Sequence, residues 1–269
     1  MSIPVVIRGG GDLASGVALR LHRAGIRVAI LELEKPLAVR RTVSFAEAVF
    51  SGSVEIEGVR GRKAADANQG EGFAKGGQIP VLVDPDGAQL AALSPTAIID
   101  ARMTKKPPVN AFDERALLVG LGPGFVAGEN CEAVVETVRG HSLGRVFWEG
   151  SAQPDTGVPG TIASYNLDRV LRAPADGNVK AAAEIGDKLR EGQMIARVGE
   201  AQLKAPFDGV LRGLVHPSLN VHKGMKIGDV DPRNDPSYCW RVSDKALAIG
   251  GGVLEALLMR LEIRQQLWS

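Results

Sequence analysis

Short apolar runs alternate with amphipathic stretches through the first half of the chain. Residues 4–7 are apolar, Gly9–Gly11 follow, and residues 17–24 place apolar side chains among basic ones at helical spacing. Other apolar runs rich in Val, Ile and Leu lie at residues 28–31, 79–83, 97–99 and 117–121. Strand-like runs that alternate with helical patterns predict a parallel sheet. The first half is therefore predicted to have an α/β fold.

Two other segments of the first half are assigned from local composition. Residues 131–138 follow Asn130, a favourable N-cap residue, and predict a helix. Cys131 would then lie in the first helical turn, where the pKa of a thiol is lowered, or would simply be a small buried residue. Residues 62–77 are polar and rich in glycine, with some helical character around residues 64–67, and we interpret them as a loop.

The second half consists of short strands and turns that repeat. Ala-Pro-Ala-Asp-Gly at residues 173–177 is echoed by Ala-Pro-Phe-Asp-Gly at residues 205–209. Each motif is followed by Gly-x-x-Ile, at residues 192–195 and 224–227. A repeat of about 30 residues predicts two similar halves of one small all-β domain. We expect the strands of each half to pair with strands of the other half.

The end of the chain predicts an amphipathic helix that contains consecutive glycines. Leu254, Leu257, Leu258 and Leu261 recur at helical spacing after Gly250–Gly252. Glycine is unfavourable inside a helix, so this triplet indicates close packing against another backbone or a ligand. We expect the helix to lie near the glycine turns of the first domain.

The chain is long enough for two hydrophobic cores, at 269 residues. A stretch rich in proline and glycine at residues 151–160 predicts a domain boundary. We place the domains at residues 1–160, 166–234 and 240–269. The last of these is a C-terminal segment whose helix is expected to pack back on the first domain.

The composition argues against several classes of protein. The net charge is +1 and aromatic residues make up 4%, which argues against a nucleic-acid partner and against binding to an anionic membrane. Two cysteines, no C-x-x-C pair and four histidines argue against a disulfide framework and against a metal site. No apolar stretch reaches transmembrane length, and no secretory signal precedes the first strand. The expected location is the cytoplasm, and a homo-oligomer is left open.

The glycines after the first strand are the main candidate binding site. Gly9, Gly11 and Ala14 fit the G-x-G-x-x-G/A dinucleotide fingerprint, between a strand and a helix. Backbone N–H groups and the helix N-terminus favour a phosphate there. The candidate residues of this turn are Gly9, Gly10, Gly11, Asp12, Ala14 and Ser15.

Further candidates lie in two other glycine-rich segments. Gly122 and Gly124 follow the strand predicted at residues 117–121, and Gly250 and Gly251 lie in the terminal helix. We expect all four to face the same crevice as the first glycine turn.

Charged residues after the predicted strands supply the remaining candidates. Glu32 follows the second strand, where an acidic residue binds a ribose hydroxyl in dinucleotide-binding proteins, or is a solvated strand-end charge. Arg40 and Arg41 are candidates for holding a phosphate, or form a solvated basic patch. A last group follows the strand at residues 97–99 and is either part of the site or a charged loop: Asp100, Arg102, Thr104 and Lys105. No catalytic residue is assigned.

The repeat resembles the biotinyl/lipoyl-type barrel-sandwich hybrid. That family carries a modified lysine on a hairpin between the halves, whereas this chain has Gly199-Glu200-Ala201-Gln202 there. The resemblance implies a Rossmann-like parallel-sheet domain followed by a small all-β barrel-sandwich-hybrid domain without the modified lysine hairpin.

Residues 7–16, 36–41 and 243–256 together resemble the selenium-dependent molybdenum hydroxylase accessory proteins. The first domain is also similar to the xanthine dehydrogenase maturation factors. The resemblance implies an accessory factor in maturation of selenium-dependent molybdenum hydroxylases. It would bind a nucleotide such as NAD(P), molybdopterin or another phosphate-bearing small molecule at its glycine turns. Its partners would be a molybdenum hydroxylase client or other maturation proteins. The alternatives are an NAD(P)-dependent oxidoreductase and a carrier or docking protein.

Overall fold

The computed structural model describes residues 3–104, 116–155 and 169–268. The chain divides into two compact units, of which unit 1 comprises Met1–Pro36, Phe45–Thr156 and Val242–Ser269. Unit 2 comprises Leu37–Ser44 and Gly157–Arg241. Within the described ranges, no helix combines the length and the apolar character needed to cross a membrane. Lys105, one of the candidate residues, lies outside the described residues.

Unit 1 is a mixed α/β unit whose strands and helices alternate along the chain. Its elements are β1 (Val5–Arg8), α1 (Asp12–Arg23), β2 (Val28–Glu32), α2 (Ala48–Ser51), β3 (Ser53–Ile56), β4 (Val59–Ala64), α3 (Ala67–Lys75), β5 (Ile79–Val83), α4 (Leu90–Leu93), β6 (Ala97–Asp100), β7 (Leu117–Leu121), β8 (Val126–Ala127), β9 (Ala133–Val135), β10 (Val146–Phe147), β11 (Gly150–Ser151), α5 (Asp244–Met259) and α6 (Leu261–Arg264). The predicted α/β class is confirmed.

Nine of these strands form one sheet in the order β10-β9-β7-β6-β1-β2-β5-β4-β3. The inner pairs are parallel, and the outermost strands β3 and β10 pair antiparallel with their neighbours. Strands β1, β6 and β2 are buried along their whole length, as expected for a parallel sheet covered on both faces. All carboxyl ends of the parallel strands therefore lie at one edge of the sheet.

Two of the predicted elements of the first half are wrong. The segment predicted as a helix after Asn130 contains strand β9, which pairs parallel with β7 through Ala133, Val134 and Val135. β-Branched residues that complete a buried sheet outweigh the local N-cap signal. The segment predicted as a loop contains the end of β4 and helix α3. Asp66 caps α3 by accepting the Gln69 N–H at 2.9 Å.

Helix α5 packs on helix α1 through residues without bulky side chains. A Cβ at Gly16 would lie 2.6 Å from the Cβ of Ala246. A Cβ at Gly250 would lie 2.9 Å from the Gly16 carbonyl oxygen and 2.7 Å from Cγ of Arg20. The backbones of the two helices therefore approach closely, and larger residues at these glycines require the helices to separate.

Unit 2 is built from short antiparallel strands. Its elements are β12 (Val170–Arg172), β13 (Gly177–Ala181), β14 (Lys188–Leu189), β15 (Met194–Val198), β16 (Ala201–Lys204), β17 (Gly209–Leu214), β18 (Asn220–Val221) and β19 (Lys226–Asp231). They form two four-stranded sheets, in the orders β12-β19-β17-β14 and β16-β15-β13-β18. Pairs β13–β18 and β14–β17 join the two halves of the repeat, so the predicted pairing between halves is confirmed.

The repeated motifs of unit 2 hold each other through equivalent hydrogen bonds. Asp176 of the first motif accepts the Lys223 N–H at 2.7 Å, and Asp208 of the second accepts the Glu191 N–H at 2.7 Å. Each aspartate thus caps the Gly-x-x-Ile turn of the other half. The sequence repeat therefore corresponds to reciprocal hydrogen bonds between the two halves of the unit.

Candidate functional site

Buried charged residues follow the strands at the carboxyl edge of the nine-stranded sheet. Arg8 ends β1, Glu32 ends β2 and Asp100 ends β6. Asp84 comes directly after β5, and Glu136 comes directly after β9. All five are at most 9% exposed. A buried charge requires a partner, so the partners decide which of these groups are structural and which face a ligand.

Glu32 is bound to the first glycine turn. Its Oε2 accepts the Gly10 N–H at 2.6 Å, and its Oε1 accepts the Leu33 N–H at 2.7 Å. Burial raises the pKa of the Glu32 carboxyl, and these two hydrogen bonds partly oppose that shift. The carboxylate therefore occupies the position beside the glycine turn where the fingerprint predicts a ligand.

The remaining groups of this turn are also used by the protein. The Gly9 N–H donates to the Leu31 carbonyl at 2.8 Å. The Ser15 hydroxyl donates to the Gly10 carbonyl at 3.2 Å and accepts the Phe45 N–H at 2.8 Å. Gly9 has a φ of +93°, which favours glycine. The turn is thus held as a structural junction.

The helix that follows the turn begins with the other candidates. Gly11 is the N-cap residue of α1 in an extended conformation, and Asp12 is the first helical residue. The Asp12 carboxylate accepts the Leu13 N–H at 3.0 Å. Ala14 and Ser15 are buried in the first turn. An acidic residue at this position already complements the positive helix N-terminus.

Asp84 and Glu136 also have backbone partners. The Asp84 carboxylate accepts N–H groups of Gly87, Ala88 and Gln89 at 2.8 to 3.0 Å and closes the turn after β5. Glu136 accepts three backbone N–H groups at 2.7 to 2.8 Å, from Thr137, Val138 and Gln153. Both carboxylates therefore act, in place of water, as hydrogen-bond acceptors for backbone N–H groups that have no strand partner.

Arg8, Asp100 and Arg102 form a charge cluster at the ends of β1 and β6. Asp100 lies opposite Arg8 in the sheet register. Nε of Arg102 lies 3.0 Å from Oδ1 of Asp100, and Nη2 lies 2.5 Å from Oδ2. Burial and the charge of Arg102 lower the pKa of Arg8, which is partly restored by Asp100. Asp100 is thus paired with Arg102, whereas Nη2 of Arg8 donates to the Pro85 carbonyl at 2.7 Å.

The second glycine turn lies against the same segment. A Cβ at Gly9 would lie 3.3 Å from Cα of Arg102, and a Cβ at Gly122 would lie 3.3 Å from Cε of Met103. A Cβ at Gly122 would also lie 2.5 Å from Oγ1 of Thr137. Gly124 accepts a hydrogen bond from the Asn130 amide at 3.3 Å. The two glycine turns therefore flank the chain that leaves β6.

The structure gives other surroundings to the remaining candidates. Arg40 and Arg41 belong to unit 2, where Nη2 of Arg40 donates to the Tyr238 and Arg241 carbonyls and Nε of Arg41 donates to Leu214. Gly250 lies in the contact with α1 described above, and Gly251 is exposed on α5. Thr104 is exposed at the end of a described range.

Cys131 is an isolated thiol without the properties of a nucleophile. It precedes β9 instead of starting a helix, and it is 7% exposed. Burial and the neighbouring Glu132 raise the pKa of Cys131 to about 11. The reading of Cys131 as a small buried residue is the one that the structure favours.

Sequence reasoning did not identify three of the edge residues: Arg8, Asp84 and Glu136. A signal is present for Asp84 and Glu136, because an acidic residue directly follows the apolar run of β5 and of β9, as Glu32 and Asp100 do for β2 and β6. Parallel strands bring such residues to one edge. Among the described residues, no group of three or more His, Cys, Asp and Glu side chains is placed to hold a metal ion.

Comparison with known proteins gives a sequence relative but no function. A scan against protein-family models finds no match. The chain is 49% identical over 255 residues to an uncharacterized protein, YqeB, from Escherichia coli K12. The alignment covers 95% of this chain and 47% of that relative, so the chain spans about half the length of the relative.

Three solved structures show a limited likeness. A succinylglutamate desuccinylase/aspartoacylase from Rhodobacter sphaeroides is 22% identical over 26% of this chain and 24% of its own, with a TM-score of 0.22. The ectoine utilization protein EutE from Ruegeria pomeroyi, in its apo form, is 11% identical over 85% of this chain and 86% of its own (TM-score 0.26). An aspartoacylase family protein from Mesorhizobium loti is 9% identical over 86% of this chain and 85% of its own, with a TM-score of 0.27. Likeness at this level carries no argument about chemistry.

These comparisons correct the functional predictions made from sequence. The three solved structures described above are a desuccinylase/aspartoacylase, an ectoine utilization protein and an aspartoacylase family protein, and the sequence relative is uncharacterized. The predicted membership among selenium-dependent molybdenum hydroxylase accessory proteins is wrong, and so is the predicted maturation role. The comparisons support neither the NAD(P)-dependent oxidoreductase nor the carrier alternative, and they give no support to nucleotide binding.

Proposed function

We propose that unit 1 binds a small organic acid at the carboxyl edge of its sheet, with Arg102 as the recognition residue. The chain runs from β1 to β2 and β5 on one side, and then crosses to β6 and β7 on the other. This reversal beside β1 supports a Rossmann-like arrangement of unit 1. In open α/β sheets, small molecules bind outside the carboxyl ends of the strands at such a reversal.

The proposal depends on the orientation and the partial exposure of the Arg102 guanidinium group. Its side chain is 29% exposed, although Nε and Nη2 are held by Asp100. Among the described residues, Nη1 has no protein partner. A guanidinium fixed on one edge by a buried carboxylate presents its other edge in a set orientation. Arginine forks bind carboxylates in two parallel hydrogen bonds.

The surrounding charges favour a carboxylate over a phosphate. Glu32, Asp84 and Asp100 lie at the same edge, so a doubly charged ligand is repelled more strongly than a singly charged one. The Gly10 N–H is taken by Glu32 and is not offered to a phosphate. The proposed ligand is therefore a small molecule with one carboxylate near Arg102.

The test compares wild-type protein with Arg102→Gln in thermal unfolding and titration calorimetry. The probes are the singly charged acetate and glutamate and the more highly charged succinate and citrate, each against sodium chloride of equal ionic strength. We expect acetate or glutamate to raise the melting temperature of the wild-type protein by about 3 °C at tenfold excess over its dissociation constant. We expect Arg102→Gln to lose that shift.

Arg139→Gln provides the matched control, because Arg139 also binds an aspartate of unit 1, Asp244, through two hydrogen bonds of 2.7 Å. This variant should respond to the acid as the wild-type protein does. Failure of all four acids to stabilise the wild-type protein contradicts the proposal. Equal responses of Arg102→Gln and Arg139→Gln also contradict it.

For unit 2 we propose the barrel-sandwich arrangement of the biotinyl/lipoyl type. The pairing between halves and the reciprocal bonds of Asp176 and Asp208 support it. The turn between β15 and β16 holds Gly199 and Glu200, and Lys204 is the last residue of β16. Mass spectrometry of the native protein tests the expected absence of a modified lysine at that turn.

A further inference from the structure

The second sheet of unit 2, formed by β16, β15, β13 and β18, has one buried face and one exposed face. The buried face is apolar and consists of Val179, Ile195, Val198, Leu203 and Val221. The exposed face is polar and is here called the basic face, which consists of Asn178, Lys180, Arg197, Gln202, Lys204 and Asn220. Antiparallel sheets commonly cover one face and leave the other in water. The basic face is therefore the outer surface of this sheet.

Two cations lie directly opposite each other on the basic face. The register of β13 and β15 pairs Lys180 with Arg197, and the register of β15 and β16 pairs Arg197 with Gln202. Directly opposite side chains of an antiparallel pair have Cβ atoms about 4.5–5.5 Å apart, and like charges there destabilise the sheet. Lys204 lies two residues beyond Gln202, which makes it a diagonal neighbour of Arg197 at about 7–8 Å. The sheet thus holds three positive charges close together.

The charges of the basic face have no counter-charge in the sheet. None of its four strands contains an aspartate or a glutamate. Acidic residues flank the strands in turns and loops, as Glu200 does between β15 and β16. Among the described residues, Lys180, Arg197 and Lys204 have no partner in an ion pair or a side-chain hydrogen bond. Unit 2 as a whole also contains more basic than acidic residues, so an acidic partner complements it.

The form of the basic face favours a protein segment over other anions. A single phosphate or sulfate ion is best held by donors that converge on it, whereas these cations project from the open surface of a sheet. The strands carry no aromatic side chain on which a nucleic-acid base stacks. Basic clusters that bind anionic membranes commonly contain about four to eight lysines and arginines, more than this face contains.

We propose that the basic face binds an acidic segment of a partner protein in an extended conformation. Alternate residues of an extended chain lie about 6.6–6.8 Å apart, which is close to the spacing of the cations. Carboxylates at every second position of the segment therefore approach different cations. The amides of Asn178, Gln202 and Asn220 supply neutral donors and acceptors beside them. The face lies wholly within unit 2 and does not depend on the organic-acid site proposed for unit 1.

The experiment measures binding of a fluorescent peptide to the full chain by fluorescence anisotropy. The peptide alternates glutamate with serine over about eight residues, which is long enough to cross the sheet. The comparison peptides replace each glutamate by glutamine or by lysine. We expect saturable binding of the glutamate peptide alone at low ionic strength. Exposed ion pairs are individually weak and are screened by salt, so this binding should weaken several-fold at about 0.2 M salt.

The decisive variant combines Lys180→Glu with Arg197→Glu. It should weaken binding of the glutamate peptide at least about tenfold, because two attractive pairs become repulsive. The single variant Arg197→Gln should weaken binding about two- to fivefold, which corresponds to the loss of one exposed pair. Without peptide, Arg197→Gln should melt no lower than the wild-type protein, because it removes one of two like charges that face each other.

The matched control combines Lys188→Glu with Arg190→Glu. It changes the charge of unit 2 by the same amount, but Lys188 belongs to β14 of the other sheet, and both residues are exposed. This variant should bind the glutamate peptide within about twofold of wild type. Arg102→Gln should also bind it as the wild-type protein does, which separates the basic face from the proposed site of unit 1.

Several outcomes overturn the proposal. Absence of saturable binding of the glutamate peptide does so, and so does equal weakening by the two double variants. Tighter binding of single-stranded DNA or of phosphatidylserine vesicles, lost in the Lys180→Glu and Arg197→Glu variant, assigns the face to another class of partner. Self-association of the wild-type chain that the same variant abolishes assigns it to a second copy. A melting temperature of Arg197→Gln several degrees below wild type makes Arg197 a structural residue.

Discussion

The two units bury carboxylates in different ways. In unit 1, Glu32 and Glu136 accept backbone N–H groups, five in total. In unit 2, Asp229 and Asp231 accept arginine side chains as their main partners. An amide N–H satisfies an acceptor without adding a formal charge, whereas each arginine adds one. Glu32 and Glu136 are therefore structural acceptors of backbone N–H groups, whereas Asp229 and Asp231 belong to a cluster of charged side chains.

The buried carboxylates of the two units also differ in the direction of their pKa shifts. Burial raises the pKa of Glu32 and of Asp229, while the hydrogen bonds from Arg233 outweigh burial and lower the pKa of Asp231. The opposite directions agree with the two side-chain hydrogen bonds that Arg233 donates to Asp231, compared with one that Arg169 donates to Asp229. The comparison can be tested by removing one carboxylate at a time.

The largest effect is expected for Glu136→Ala. This change leaves three backbone N–H groups of a fully buried position without an acceptor. The free energy of unfolding should fall by at least about 3 kcal/mol, measured by urea denaturation. The matched control is Glu149→Ala, because Glu149 is exposed in the same unit and should change stability by less than about 0.5 kcal/mol. Similar losses in the two variants would mean that Glu136 is not a structural acceptor.

A smaller loss is expected for Glu32→Gln. The amide keeps one acceptor oxygen but presents an NH₂ group to either Gly10 or Leu33, whose N–H groups the carboxylate satisfies. Unfolding free energy should fall by about 1–3 kcal/mol. Glu34→Gln, at an exposed position, is the control. A stability of Glu32→Gln equal to that of the control would show that the glycine turn does not depend on this carboxylate.

The smallest effect concerns pH and Asp231. Because the folded pKa of Asp231 lies below its ordinary value of 3.8, its ionised form stabilises the fold above that pH. This contribution should disappear as pH falls through the folded pKa. The stability difference between wild type and Asp231→Asn should therefore be largest above pH 4 and decline at lower pH, as measured by denaturation at several pH values. A difference that grows on acidification would contradict the assigned sign.

Most strands of unit 1 could be predicted from the chain, but β9 and α3 could not. The run Ala133-Val134-Val135 is short, and Asn130 before it is a good N-cap, so local signals favour a helix. Its place beside β7 in the sheet decides the outcome. For α3, the signal Asp66-x-x-Gln69 was present within a polar segment and was outweighed by its glycines.

For the candidate site too, local features could be predicted from the sequence and tertiary contacts could not. Sequence marks Glu32, Asp100 and Arg102 as residues that follow strands, because strand ends can be recognised locally. Whether each faces a ligand depends on its hydrogen-bond partners. Glu32 is bound to Gly10, 22 residues away, and Arg102 is held by Asp100, two residues away. The glycine fingerprint therefore indicates a tight turn and does not by itself indicate a nucleotide.

The sequence by itself determined the α/β class of the first half and the repeated all-β organisation of the second, because periodicity and turn residues act over short distances. Tertiary structure alone decided which buried charges are satisfied. Arg212 has the same local appearance as any arginine of a strand. Only the fold makes Arg212 the extra residue of a bulge in β17. The fold also places it near Asp229 and Asp231, which are hydrogen-bonded to Arg169 and Arg233. Electrostatic balance is a property of groups that are distant in sequence, so only the folded chain defines it.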